Sequence, residues 1–107
     1  MYALNVATWT QIFCGNYVLA NALADELAIL AEEKGALYWK PIAMMNQGRI
    51  LGLIGEPAKA LPMLTSGIAA SRSTGTTFWL PTHLSHLART VNAGAKMHRL
   101  AGAKIHQ

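Results

Sequence analysis

Charge is scarce in this chain: Asp, Glu, Lys and Arg make up 13% of its 107 residues, against a hydrophobic share of 52%. Globular chains carry roughly 25% charged residues, so either the surface is unusually plain or part of it is covered by something else. The apolar share excludes a disordered chain. Cysteine occurs once, at Cys14, which excludes an internal disulfide and a CxxC metal site and makes a reducing, cytoplasmic compartment the expected setting. No run reaches the roughly 18 to 20 apolar residues of a membrane span; Tyr17 to Leu30 comes nearest and is broken by Asp25 and Glu26. The opening Met1-Tyr2-Ala3-Leu4-Asn5 lacks the positive flank and cleavage site of a signal peptide. Nothing alternates as a half-buried strand would, and no membrane contact is expected.

Acids are missing from one half altogether. All five (Asp25, Glu26, Glu32, Glu33, Glu56) precede residue 57, where they outnumber Lys34, Lys40 and Arg49 to give a net charge of −2. From Pro57 onward six bases and no acid give +6. Long-range steering at the C-terminal end favours acidic partners.

What the chain does contain is an internal echo. Gly35-Ala36-Leu37-Tyr38-Trp39-Lys40-Pro41 returns in the same order of landmarks as Gly75-Thr76-Thr77-Phe78-Trp79-Leu80-Pro81, and Gly15 and Ala20 return at the same offset as Gly55 and Ala60. Between these marks the periodicity is helical. Leu19, Leu23, Leu27 and Leu30 fall on one face, with Ala20, Ala24, Ala28 and Ala31 one step behind. Gly35 ends that segment behind Lys34, and Pro57 suits a first helical position. The expected fold is all-α: helices near 2–14, 17–34, 38–54, 57–74, 78–93 and a weaker one near 96–105. Short gaps make consecutive helices antiparallel neighbours. The chain then reads as one domain, 1–107, in units of about 1–35, 36–75 and 76–107. Pro62 predicts a kink or a late start in the fourth helix.

The stretch Gly48 to Gly67 carries a small residue at Gly48, a large one at Leu51, the interhelix Gly55, then Ala60-Leu61 and Gly67. This spacing resembles a tetratricopeptide repeat. The first unit matches at Gly15, Tyr17 and Ala20, with Thr8 and Gln11 fitting poorly; the third matches at Ala88 and Val91, with a degenerate second helix. The longer period, the step from Trp39 to Trp79, is similar to that of the C-terminal helical arrays of large bacterial regulators of the class III adenylate cyclase and ATPase type. The resemblance spans about residues 15 to 95 and implies a short solenoid of about 2.5 repeats in a signalling protein. No cyclase or ATPase motif is present, so no activity comes with it.

The usual marks of catalysis are thin. No glycine loop is followed by a Lys and a hydroxyl as a phosphate loop requires. Asp25-Glu26 and Glu32-Glu33 read as a solvated helix face. His83 and His86 are three apart on one expected helix, with His98 and His106 beyond, and no acid after Glu56 could complete a metal site. They read as partly exposed histidines, with no metal and no cofactor. Cys14, beside Ile12 and Phe13, reads as a buried structural thiol. Trp39 and Trp79, at equivalent corners, read as packing residues between hairpins, and the five methionines as gap fillers.

The stack itself supplies a candidate surface. First helices of stacked hairpins line a concave side, where residues one repeat apart become neighbours. Arg49 and Arg89 are one repeat apart, with Trp9 at the matching place in the first unit; Asn5, Met45 and Ser85 lie one turn to one side and Asn92 to the other. These seven form either a cradle for a carboxylate or acidic peptide, or solvated polar positions. Function divides accordingly. One reading is a non-catalytic interaction module that binds a protein segment or neighbouring domain. The alternative is a nucleic-acid-binding helical domain using the basic C-terminal half, where six bases spread over several helix faces are sparse for the task. A metal-dependent enzyme has only the histidines behind it. The charge-free first segment, with Tyr2, Leu4, Val6, Trp9, Ile12 and Phe13, is expected to be covered, by a homodimer partner or by the remainder of a longer array.

Overall fold

The computed structural model describes residues 1–75 and 80–105, with the side chains of 1–75 and 81–100. It is all-helical over that range: α1 (Tyr2–Phe13), α2 (Tyr17–Lys34), α3 (Trp39–Leu53), α4 (Pro57–Ser73) and α5 (Leu80–Ile105). None of these helices is long and apolar enough to cross a membrane.

The turns between helices are built alike. Gly15, Gly35, Gly55 and Gly75 are evenly spaced along the chain, and all have positive φ, between 60° and 87°. At the first three, the glycine N–H donates to the carbonyl three positions back, and the next N–H to the carbonyl five back: Asn16 to Gln11, Ala36 to Ala31, Glu56 to Leu51. This closure satisfies carbonyls that the helix end would otherwise leave open, and only glycine enters the left-handed region without strain. Each of these three reversals is therefore short. Asn16 caps α2 through its side chain, which accepts from the Leu19 N–H at 3.3 Å.

Packing follows from these reversals. Asp25 meets Gln47 (2.8 Å) and Glu32 meets Lys40 (3.2 Å), so α2 and α3 run antiparallel. The α3/α4 pair is also antiparallel and closer still. A Cβ on Gly48 would lie 2.9 Å from Leu64 Cγ, and one on Gly67 2.5 Å from Met45 Cγ and 3.1 Å from the Pro41 carbonyl. The two glycines let the backbones approach where the spacing asked for small residues. By contrast, α1 and α3 lie side by side in the same direction, since Tyr2 touches Trp39, Asn5 bonds Asn46, and Phe13 meets Arg49. Two apolar clusters result. Ile12, Ala20, Ala24 and Ile50 form the first, with Tyr17 and Leu53 against it; Ile42, Met45 and Ile68 form the second, with Trp39 and Leu87.

Two expectations are corrected and one is narrowed. The break at Gly94-Ala95 is absent: α5 continues to Ile105, and Gly94 faces Pro57 at an ordinary 3.8 Å. Of the two outcomes expected at Pro62, the late start does not occur: α4 begins at Pro57 and carries an exposed Pro62 inside it. Cys14, at the C-cap of α1, is exposed rather than buried. Among the described residues, Tyr2 and Phe13 of α1 are left 63% and 72% exposed. The packing role expected of Trp39 agrees with its place against the second cluster, whereas Trp79 lies outside the described residues.

Candidate functional site

The parallel arrangement of α1 and α3, with α5 packed against α3, leaves a cleft of about 450 Å³. Trp9, Ile12 and Phe13 line it from α1, Arg49 and Leu53 from α3, Thr82, His86 and Arg89 from α5, and Tyr17 closes one end. At its centre is Arg49. The guanidinium carbon lies 4.5 Å from the centre of the Trp9 ring and 5.3 Å from that of Phe13. Stacking of this kind contributes about 0.5–2 kcal/mol, more as water is excluded. The Trp9 ring is fixed in turn. Its Nε1 donates to Asn46 Oδ1 (3.0 Å), and Asn46 Nδ2 donates to Asn5 Oδ1 (2.7 Å).

Arg49 is 2% exposed, and its Nε and Nη1 are buried with no hydrogen-bond partner. Among the described residues no carboxylate pairs with it; the two ion pairs there are Lys40–Glu32 and Lys59–Glu56. A buried donor without a partner is rare in a native fold, and a buried cation without a counter-charge costs more. Burial, aided by the nearby Arg89 charge, lowers the Arg49 pKa to about 10. It remains cationic at neutral pH.

His83 lies beside this centre. Its ring packs edge-on against Trp9, with centroids 5.8 Å apart, and both nitrogens are buried without a partner. Burial first, then the charges of Arg49 and His86, push its pKa down to about 4. His86 is pushed to about 4 by burial and by Arg49 and Arg89. Both rings are therefore neutral at pH 7, each offering one N–H and one acceptor nitrogen. The cleft thus holds two permanent positive charges, with two neutral imidazoles in or beside it and no acid among its described residues.

Of the seven residues expected on the concave side, Trp9, Arg49 and Arg89 line this cleft. Asn5 is buried in the Asn5–Asn46–Trp9 chain and supports the site from behind. Met45 is 1% exposed and points the other way, toward Gly67 and Ser71 of α4. Ser85 and Asn92 are exposed and do not line the cleft. His83, expected to be partly exposed, is fully buried; His98 is exposed, and His106 lies outside the described residues. Sequence reasoning misses the contributions of His83, His86 and Asn46. The repeat offset already pairs Ala43 with His83 and Asn46 with His86, which marks both histidines as inward-facing. No three His, Cys, Asp or Glu side chains converge as a metal site among the described residues. No family model, curated protein or solved structure matches this chain.

Proposed function

We propose that this chain is a non-catalytic interaction module, a short stack of tetratricopeptide-like helical hairpins whose α1/α3/α5 cleft holds an acidic segment of a partner protein. The observation that carries the reading is Arg49, a buried guanidinium with two orphan donors and no carboxylate in reach among the described residues. An anionic side chain entering the cleft would satisfy those donors and offset the field of Arg89. The repeat part of the reading is supported by the four evenly spaced left-handed glycines and by the side-by-side run of α1 and α3. Kinship with the repeat arrays of bacterial signalling regulators rests on the Gly48–Gly67 pattern.

A fluorescent octaglutamate peptide titrated against the chain near 150 mM salt tests the proposal, with duplex DNA in a parallel arm. The expected result is saturable peptide binding that Arg89→Glu abolishes. Equal binding by Arg89→Glu would mean that the peptide sits elsewhere than in the cleft. Tighter binding of DNA, with affinity falling steeply as salt rises, would replace the acidic segment by nucleic acid.

A further inference from the structure

The proposed site has a charge and donor count that narrows what fills it. Arg49 and Arg89 supply two positive charges, and no acid lies among the cleft's described residues. A single carboxylate carries one negative charge and leaves one arginine uncompensated. Arg49 brings two orphan donors, Nε and Nη1, Arg89 a second guanidinium, and neutral His86 an imidazole N–H, on residues of α3 and α5 that line one cleft. His83, with both nitrogens unpartnered, stands behind them. That is more donor capacity than two carboxylate oxygens use, and it suits a group with three terminal oxygens. A phosphate monoester carries about −1.5 to −2 near pH 7 and presents three such acceptors.

We infer that the anionic group taken by the cleft between Arg49 and Arg89 is a phosphoryl group, carried on a phosphorylated side chain of the partner segment. This rests on the proposed reading of the cleft as a site for an acidic segment. Trp9 and Phe13, which stack on Arg49, and the apolar Ile12 and Leu53 complete a floor for the flanking residues of that segment. The volume of about 450 Å³ lies within the roughly 300–1,000 Å³ usual for a bound small group.

The test uses three peptides of one sequence with phosphothreonine, glutamate or threonine at the central position, and inorganic phosphate as a separate probe, all at pH 7.5. Calorimetry reads affinity, and the Arg and His side-chain NMR signals read location. The expected result is binding of the phosphothreonine peptide at least tenfold tighter than the glutamate peptide, with the Arg49 Nε–H and His86 signals shifting. Inorganic phosphate should shift the same signals more weakly. Arg89→Gln, at an exposed position that the fold does not need, should weaken the phosphopeptide at least fivefold and bring it close to the glutamate peptide. Equal or tighter binding of the glutamate peptide overturns the phosphoryl assignment and leaves the acidic-segment reading standing. Failure of every anion to shift Arg49 or His86 overturns both. Inorganic phosphate binding as tightly as the phosphopeptide overturns the assignment to a partner segment in favour of a free phosphate ion.

Discussion

The guanidinium of Arg49 lies over the ring of Trp9, 4.5 Å from its centre, although the two belong to different helices one repeat apart in the sequence. The cation–aromatic contact joins α3 to α1, and Nε and Nη1 of the same guanidinium are buried without a hydrogen-bond partner. An arginine held in that way costs the fold stability, because its donors are desolvated and unpaired.

Replacing it with a shape-matched apolar residue should therefore stabilise the fold. The fall in the Arg49 pKa to about 10 corresponds to roughly 3 kcal/mol at 1.36 kcal/mol per pH unit. Loss of the Trp9 stacking returns about 1 kcal/mol of that. Arg49→Met should raise the urea midpoint by the equivalent of about 1–2 kcal/mol while acidic-peptide binding disappears. A lower midpoint would mean that Arg49 is paired and structural.

The histidine beside it makes the fold acid-sensitive. His83 has its pKa near 4 in the fold and about 6.5 in the unfolded chain. Above pH 6.5 neither state binds the proton and the residue adds no pH dependence. As pH falls toward 4 the unfolded chain takes the proton first, so stability drops by about 3 kcal/mol and then levels off. Arg49 from α3 and His86 on α5 oppose its charge, while Trp9 from α1 supplies only an apolar wall. Urea midpoints of the parent and His83→Leu between pH 7.5 and 4 should diverge through this window. Parallel profiles would contradict the buried neutral imidazole.

Glycines inside helices should respond in opposite directions. Gly67→Ala places a methyl 2.5 Å from Met45 Cγ and 3.1 Å from a backbone oxygen that cannot move aside. Overpacking of that kind costs about 1–3 kcal/mol, which exceeds the roughly 1 kcal/mol gained from helix propensity. Gly94→Ala meets only Pro57 at 3.8 Å, so the propensity gain of about 1 kcal/mol should appear almost whole. Thermal unfolding of the two variants checks the pair, and equal shifts would contradict the α3/α4 packing.

The sequence made these close approaches visible through Gly48 and Gly67, and it made the cleft visible through the offset that joins Trp9, Arg49 and Arg89. Other features needed coordinates. Met45 and Asn46 are adjacent, and a helix turns about 100° per residue; that rotation sends Asn46 toward α1 and Met45 into α4. Gly94-Ala95 carries the local mark of a helix end, yet α5 runs through it, since a lone glycine costs only about 1 kcal/mol. The exposure of Cys14 goes with its place at the C-cap of α1, where Ile12 is buried and Phe13 is itself largely exposed.

Uncovered apolar side chains predict association. Tyr2, Val6 and Phe13 on α1, and Leu84, Val91, Met97 and Leu100 on α5, are all at least 37% exposed. Where such side chains join into one patch they mark contact sites. Sedimentation at micromolar concentration should show a dimer, and Val6→Glu with Phe13→Glu should return it to monomer. A monomer in the parent chain would contradict the expectation.

The Arg49 Nε–H resonance, followed in the full chain as the octaglutamate peptide is added near 150 mM salt, reads the occupancy of the cleft at its centre. Binding there should give a saturable shift at Arg49, with His86 moving in step and the exposed Lys59 unmoved. Shifts confined to exposed lysines and arginines, with Arg49 unchanged at saturation, would contradict the cleft as the binding site.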